Sequence, residues 1–182
     1  MKKIMCGLAS IFGPDKKEQK NIKDMISSIS HRGPDHEGFL YDENIIMGSC
    51  RLSIFDLSSR GNMPMKDKSG RYFIIYNGEI YNFQELKEKY KISTFSNSDT
   101  EVLIELFAKT GEKIFNEING IYAFILFDKN KGKVYCVRDR LGVKPLYYYK
   151  KDNNYFFSSE IKRILKIFNE ITINEKIVKF IT

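Results

Sequence analysis

The sequence predicts one layered α+β domain with sheets inside and helices outside, and three observations carry that expectation. Two segments, Tyr72–Tyr76 and Ile121–Phe127, are apolar at nearly every position. A strand with one wet face alternates, so both are expected to be covered on both sides. Other segments carry apolar residues at helical spacing, giving each one face to bury. The remaining strands are short and bounded by turn residues. Doubly covered sheets and one-faced helices pack as layers.

In chain order, Gly7 to Phe12 (GLASIF) reads as a strand closed by Gly13-Pro14. Ile22, Met25, Ile26 and Ile29 fall on one helical face, and the helix is expected to stop before His31-Arg32-Gly33-Pro34-Asp35. From Gly38 to Ile54 the chain reads as strand segments around an Asp42-Glu43-Asn44 turn. Phe83, Leu86 and Tyr90 fit one helix, and Val102, Leu103, Leu106 and Phe107 another. The second opens on Ser98-Asp99-Thr100-Glu101, which has the form of a capping box: Ser98 as cap, Glu101 reaching back. Asp128 to Lys133 reads as a hairpin loop into a strand Lys133–Val137, and Tyr147–Tyr149 with Tyr155–Ser158 as a later hairpin. A last helix is expected from about Glu160.

Bulk properties narrow the function classes. The 182 residues suffice for one domain with a sizeable core, and 42% hydrophobic with 29% charged residues is ordinary for a globular protein. No apolar run approaches the roughly 18 residues of a membrane span, and the N-terminus lacks a signal-peptide apolar stretch. Three cysteines without paired spacing argue against a disulfide framework and for a reducing, cytoplasmic setting. The net charge of +7 comes from lysines interleaved with acids, and no RNA-binding aromatic motif accompanies it. It therefore reads as solvated surface, with no nucleic acid and no membrane as partner.

Four places could carry chemistry. Cys6 heads an apolar strand, where cysteine usually packs as a small core residue. Its alternative is a nucleophile, which needs a base. If Cys6 were the first residue, its own α-amine (roughly pKa 7.7–8.0) could take the thiol proton (roughly 8.5) near neutrality. Asn77-Gly78-Glu79 follows the strand Tyr72–Tyr76 and is either a tight turn or an oxyanion hole, with the Asn77 amide and Gly78 N–H as donors on a strand end. Arg51 is an exposed strand arginine or a fork for a carboxylate. Asp99 complements the helix dipole or, with Glu79, holds an ammonium group. An arginine fork and two carboxylates are what a free α-amino acid requires.

Met5-Cys6-Gly7-Leu8-Ala9, His31-Arg32-Gly33-Pro34-Asp35, Arg51-Leu52-Ser53-Ile54, Asn77-Gly78-Glu79-Ile80-Tyr81-Asn82, Ser98-Asp99-Thr100-Glu101 and Arg138-Asp139-Arg140-Leu141-Gly142-Val143-Lys144-Pro145-Leu146-Tyr147-Tyr148 occur in that order. Together they resemble the class II glutamine amidotransferase domain at the N-terminus of glutamine-hydrolysing asparagine synthetases, from Met5 to about Lys166. The resemblance implies an N-terminal-nucleophile hydrolase fold, a four-layer α/β/β/α sandwich of two antiparallel sheets. It implies Cys6 as nucleophile and Asn77 with Gly78 as oxyanion hole. It also implies Arg51 on the glutamine α-carboxylate, and Glu79 and Asp99 on its α-amino group.

The same resemblance sets expectations beyond the site. Residues 1–5 are expected to be a leader or a misassigned start, with translation from Met5 and removal of that methionine leaving Cys6 first. Residues 6–170 form the amidotransferase domain, and 171–182 begin a connector to a synthetase domain. That ATP-using domain, in cis or as a separate chain, is the expected partner besides glutamine, and a homodimer is left open. No cofactor is expected in this chain; ATP and Mg belong to the synthetase domain. The acceptor, aspartate or another, is chosen by that other domain; the alternative for this chain is a non-catalytic glutamine-binding or partner module with a blocked N-terminus.

Overall fold

The computed structural model describes residues 5–13, 19–52 and 59–168. Residues 1–4 of the expected leader 1–5, Pro14, Ser53-Ile54 and the connector 171–182 lie outside the described residues.

Two antiparallel sheets form the centre. The first has five strands in the order β2 (His36–Tyr41), β3 (Ile45–Arg51), β1 (Gly7–Phe12), β9 (Asn154–Ser158) and β8 (Tyr147–Lys151). The second has four, β4 (Met65–Lys66), β5 (Tyr72–Ile80), β6 (Gly120–Asp128) and β7 (Lys133–Arg138). Helices α1 (Gln19–Ser27) and α4 (Ile161–Ile167) cover the first sheet. Helix α3 (Asp99–Thr110) covers the second, and α2 (Phe83–Lys89) packs on α3. The expected four layers are therefore present.

Strand alternation assigns the faces. In β1, Ala9 and Ile11 join Ile22, Met25 and Ile26 of α1 in one buried cluster, while Leu8 belongs to the core on the other side. In β3, Ile46 and Cys50 share the α1 side, and Ile45 and Met47 the other. Cys6 and Arg51 continue the Leu8 and Met47 rows, so both point between the sheets. In β5 the Tyr72 ring packs edge-on against Phe107 of α3, 5.2 Å between centroids. Tyr76 reaches Asp99 at the start of the same helix. Alternation then directs Asn77 and Glu79 to the opposite face, toward the first sheet.

Two expectations require correction. Asn77-Gly78 is neither a turn nor a strand end: both lie inside β5, in register with Ala123 and Tyr122 of β6. Pairing with Gly120 to Ala123 of β6 keeps the strand extended beyond Tyr76, overriding the local turn preference of Asn-Gly. The capping box is also only half formed. Ser98 Oγ accepts from Thr100 N at 3.2 Å, as a cap should. The Ser98 N–H, however, donates to Ser96 Oγ. Glu101 instead accepts from the N–H groups of Phe95 and Ser96, both at 2.7 Å, and from the Ser96 hydroxyl. It pins the loop before α3 rather than closing on its cap.

Candidate active site

All six residues singled out in the sequence line one cavity of ≈ 120 Å³ at the end of the sandwich. Cys6 and Arg51 reach it from adjacent strand ends, since Gly7 pairs with Cys50. Asn77, Gly78 and Glu79 reach it from β5, and Asp99 from the first turn of α3. They are far apart in sequence, and only the stacking of the two sheets brings them together.

The Cys6 sulfur accepts the Leu52 N–H at 3.3 Å. Burial pushes its thiol above the ordinary value; the Leu52 N–H and the charges of Arg51 and Lys144 pull it partly back. Two turns of chain lock this corner. Arg32 Nε donates to the Cys6 carbonyl at 3.2 Å, and Asp35 N to the Arg51 carbonyl at 3.1 Å. Gly33 lies between them against the backbone of β3, where a Cβ would stand 2.5 Å from the Arg51 carbonyl carbon. The His-Arg-Gly-Pro-Asp segment thus braces the strand ends that carry Cys6 and Arg51.

Arg51 is 6% exposed, so it is not a solvated strand arginine. Its Nη1 donates to Asn62 Oδ1 at 2.8 Å. A Cβ on Gly61 would meet Nη2 at 2.4 Å, so that glycine makes room for the guanidinium. Asp99 is also buried, and burial raises its carboxyl pKa against the opposing effect of donors. Oδ2 accepts from Tyr76 OH at 2.8 Å and from Ile80 N at 3.0 Å. One small cavity thus presents two cations, Arg51 and Lys144, and two carboxylates, Glu79 and Asp99. That pattern suits a zwitterion.

Asn77 is 1% exposed, and its Nδ2 has no hydrogen-bond partner among the described residues. A buried orphan donor costs about 1–3 kcal/mol, so its presence on a cavity wall points to a ligand acceptor. The Gly78 N–H is turned the same useful way. In an antiparallel strand successive N–H groups alternate between edges. Tyr76 N and Ile80 N both leave the β6 ladder, for Met63 Sδ at 3.2 Å and Asp99 Oδ2 at 3.0 Å. Gly78, midway between them, directs its N–H to that same open edge. A thiol, two such donors and a zwitterion clamp can together attack a carbonyl, stabilise its oxyanion and hold the amino-acid end of the molecule.

Sequence reasoning assigned no role to three residues of this site. In the sequence Tyr76 reads only as a core strand residue, and Gly61 carries no signal. Lys144 stands within the longest of the motifs, yet nothing in its spacing tied it to Cys6. Among the described residues no helix is long and apolar enough to cross a membrane.

Comparison with known proteins agrees with this geometry. A family model described as a glutamine amidotransferase domain matches residues 5–181. A Methanocaldococcus jannaschii protein provisionally named asparagine synthetase (glutamine-hydrolyzing) 2 is 45% identical, over 96% of this chain and 38% of its own length. Asparagine synthetase (glutamine-hydrolyzing) 1 of Bacillus subtilis is 36% identical over 94% of this chain and 28% of its own length. The chain therefore spans well under half of these relatives. Among solved structures, glutamine phosphoribosylpyrophosphate amidotransferase of B. subtilis superimposes with a TM-score of 0.73 at 20% identity, covering 87% of this chain and 43% of that one. The fold is that of the N-terminal-nucleophile hydrolases.

Proposed function

The chain belongs to the glutamine amidotransferase domain family, and from that premise we propose that it is the glutaminase half of an asparagine synthetase. The observation that carries the reading is the orphaned Asn77 Nδ2, buried on the cavity that Cys6 and the Gly78 edge also line. A donor left in that state is preorganised for a charge that develops only during reaction.

The chemistry follows from the residues present. With Cys6 as first residue, its α-amine accepts the thiol proton and the thiolate attacks the side-chain amide carbon of glutamine. Asn77 Nδ2 and Gly78 N–H receive the oxyanion. Collapse of the tetrahedral species expels ammonia, which takes the proton held by the amine, and leaves a glutamyl thioester. Water then hydrolyses the thioester to glutamate and restores the thiol. Arg51 holds the α-carboxylate, and Glu79 and Asp99 hold the α-ammonium. No cofactor enters these steps. Ammonia passes to an ATP- and Mg-using synthetase domain, in cis or as a separate chain, with aspartate as acceptor and the cytoplasm as setting.

While Met5 remains attached, the Cys6 nitrogen is an amide and not a base. The site then holds glutamine without turning it over. Protein beginning at Cys6 should release glutamate from glutamine, and Cys6→Ala should abolish that release. Hydrolysis by the Cys6→Ala protein, or equal hydrolysis by protein retaining Met1, would overturn the mechanism.

A further inference from the structure

Lys144 sits on the loop between β7 and β8, and that loop is held from both sides of its backbone. Buried Asp139 accepts from Lys144 N at 3.0 Å, Val143 N at 2.8 Å and Tyr122 N at 3.3 Å. Arg138 Nε donates to the Lys144 carbonyl and Nη2 to that of Gly142, each at 2.6 Å. The neighbours Leu141 and Val143 point outward, 90% and 52% exposed. Lys144 turns inward: its side chain lines the cavity with Cys6, and Nζ lies 3.2 Å from Met5 Sδ. A loop stapled this way while presenting one ammonium group to the nucleophile's corner is a built feature, because a free lysine would keep its charge in water.

Charged and titratable groups from every packed element surround Cys6. Arg51 comes from β3, Glu79 from β5, Asp99 from α3, and Arg32 grips the Cys6 carbonyl; Cys50 lies in the strand paired with Gly7. Asp139 faces Lys144 on its own loop. The carboxylates oppose ionisation of the thiol and the cations favour it. Of the cations, Arg51 is bound to Asn62 and Arg32 Nη1 lies 3.4 Å from Glu160.

We propose that Lys144 is a positioning residue for glutamine hydrolysis, its ammonium held by the rigid loop as counter-charge to the Cys6 thiolate; this rests on the glutaminase reading above. The same charge acts on the base. In a chain beginning at Cys6 the α-amine lies at the end of the residue that shares the cavity with Lys144, and a like charge across that cavity favours the unprotonated amine. Both groups then become competent at lower pH than without the lysine. Consistently, burial lowers the Lys144 pKa while the Cys6 charge raises it.

The test is the pH dependence of Cys6 alkylation by iodoacetamide in the full chain, read on the Cys6 peptide by mass spectrometry so that Cys50 and Cys136 do not interfere. Lys144→Met and Lys144→Gln should raise the midpoint by about half to one pH unit, and Lys144→Arg should restore it. In protein beginning at Cys6, the acid limb of kcat/KM for glutamine should move in the same direction, with KM changed less than about twofold. An unmoved midpoint in both uncharged variants overturns the proposal. So does an unmoved midpoint with a KM raised more than about tenfold, which would make Lys144 a substrate ligand instead. Protein beginning at Cys6 that hydrolyses no glutamine, with an alkylation midpoint that still shifts on Lys144→Met, sinks the glutaminase reading and leaves the charge pairing standing.

Discussion

The Tyr76 hydroxyl donates to Asp99 Oδ2 at 2.8 Å, and the same oxygen accepts the Ile80 N–H at 3.0 Å. Strand β5, which carries Asn77 and Gly78, therefore also fixes the first carboxylate of α3. The proposed oxyanion donors and one arm of the proposed ammonium clamp are thus tied together by hydrogen bonds. Burial works against the Asp99 charge and these donors sustain it. Tyr76→Phe removes one of them, and the Asp99 carboxyl should shift further upward. The expected result is a KM for glutamine raised about three- to tenfold, most strongly at mildly acidic pH, with kcat within about threefold. Steady-state kinetics between pH 5.5 and 8 check it (a range of roughly the acid limb); an unchanged KM across that range contradicts the role assigned to Asp99.

Asn77→Ala should lower kcat about 10²–10³-fold with little change in KM, since the lost donor matters only when the oxyanion forms. Stability should hold or rise slightly, because the variant removes a buried donor that has no partner among the described residues. Thermal melting beside steady-state rates distinguishes this from misfolding. A marked loss of stability would mean that Asn77 is structural.

Gly61→Ala should act on Arg51 alone. The new Cβ would stand 2.4 Å from Nη2, and a long side chain can yield where backbone cannot. The guanidinium is then displaced from the cavity, and KM for glutamine should rise about tenfold or more with a melting temperature within a few degrees of the parent, roughly a 1 kcal/mol change. Isothermal titration with glutamate gives the same comparison without turnover. Equal affinity in the two proteins would remove Arg51 from the carboxylate site.

Stability should fall in alkaline solution through Cys50. Its thiol is buried, donates to the Ile29 carbonyl at 3.1 Å, and is pushed up from 9.0 to about 11. Above the unfolded value the unfolded chain releases this proton while the folded chain keeps it, so the unfolded state binds fewer protons and unfolding becomes easier as pH rises. The contribution is intact below pH 9.0 and is lost by about 11. It amounts to about 2–3 kcal/mol. Urea unfolding at stepped pH should give a shallower alkaline decline for Cys50→Ala than for the parent; parallel declines would refute the assignment.

Much of this molecule was legible in the sequence. The doubly apolar runs Tyr72–Tyr76 and Ile121–Phe127 became the paired central strands β5 and β6, and Ile22, Met25 and Ile26 became the buried face of α1. These signals are local, since periodicity records which side of an element meets the core. The Asn77-Gly78 pair misled for the same reason. Its local preference is a turn, and the extended state is imposed by β6, more than forty positions away on the chain, a separation read from the pairing of Asn77 with Ala123.

By itself the sequence determined the layered class, the elements and the candidate residues Cys6, Arg51, Asn77, Gly78, Glu79 and Asp99, because residue type and spacing carry that information. Only the tertiary structure decided that these six line one cavity, that Asn77 Nδ2 is left without a partner, and that Lys144 is turned toward Cys6. The physical reason is that an orphaned donor or a counter-charge is a relation across space. Cys6 and Lys144 are brought together by the stacking of two sheets and the staple at Asp139, and no spacing along the chain encodes that approach.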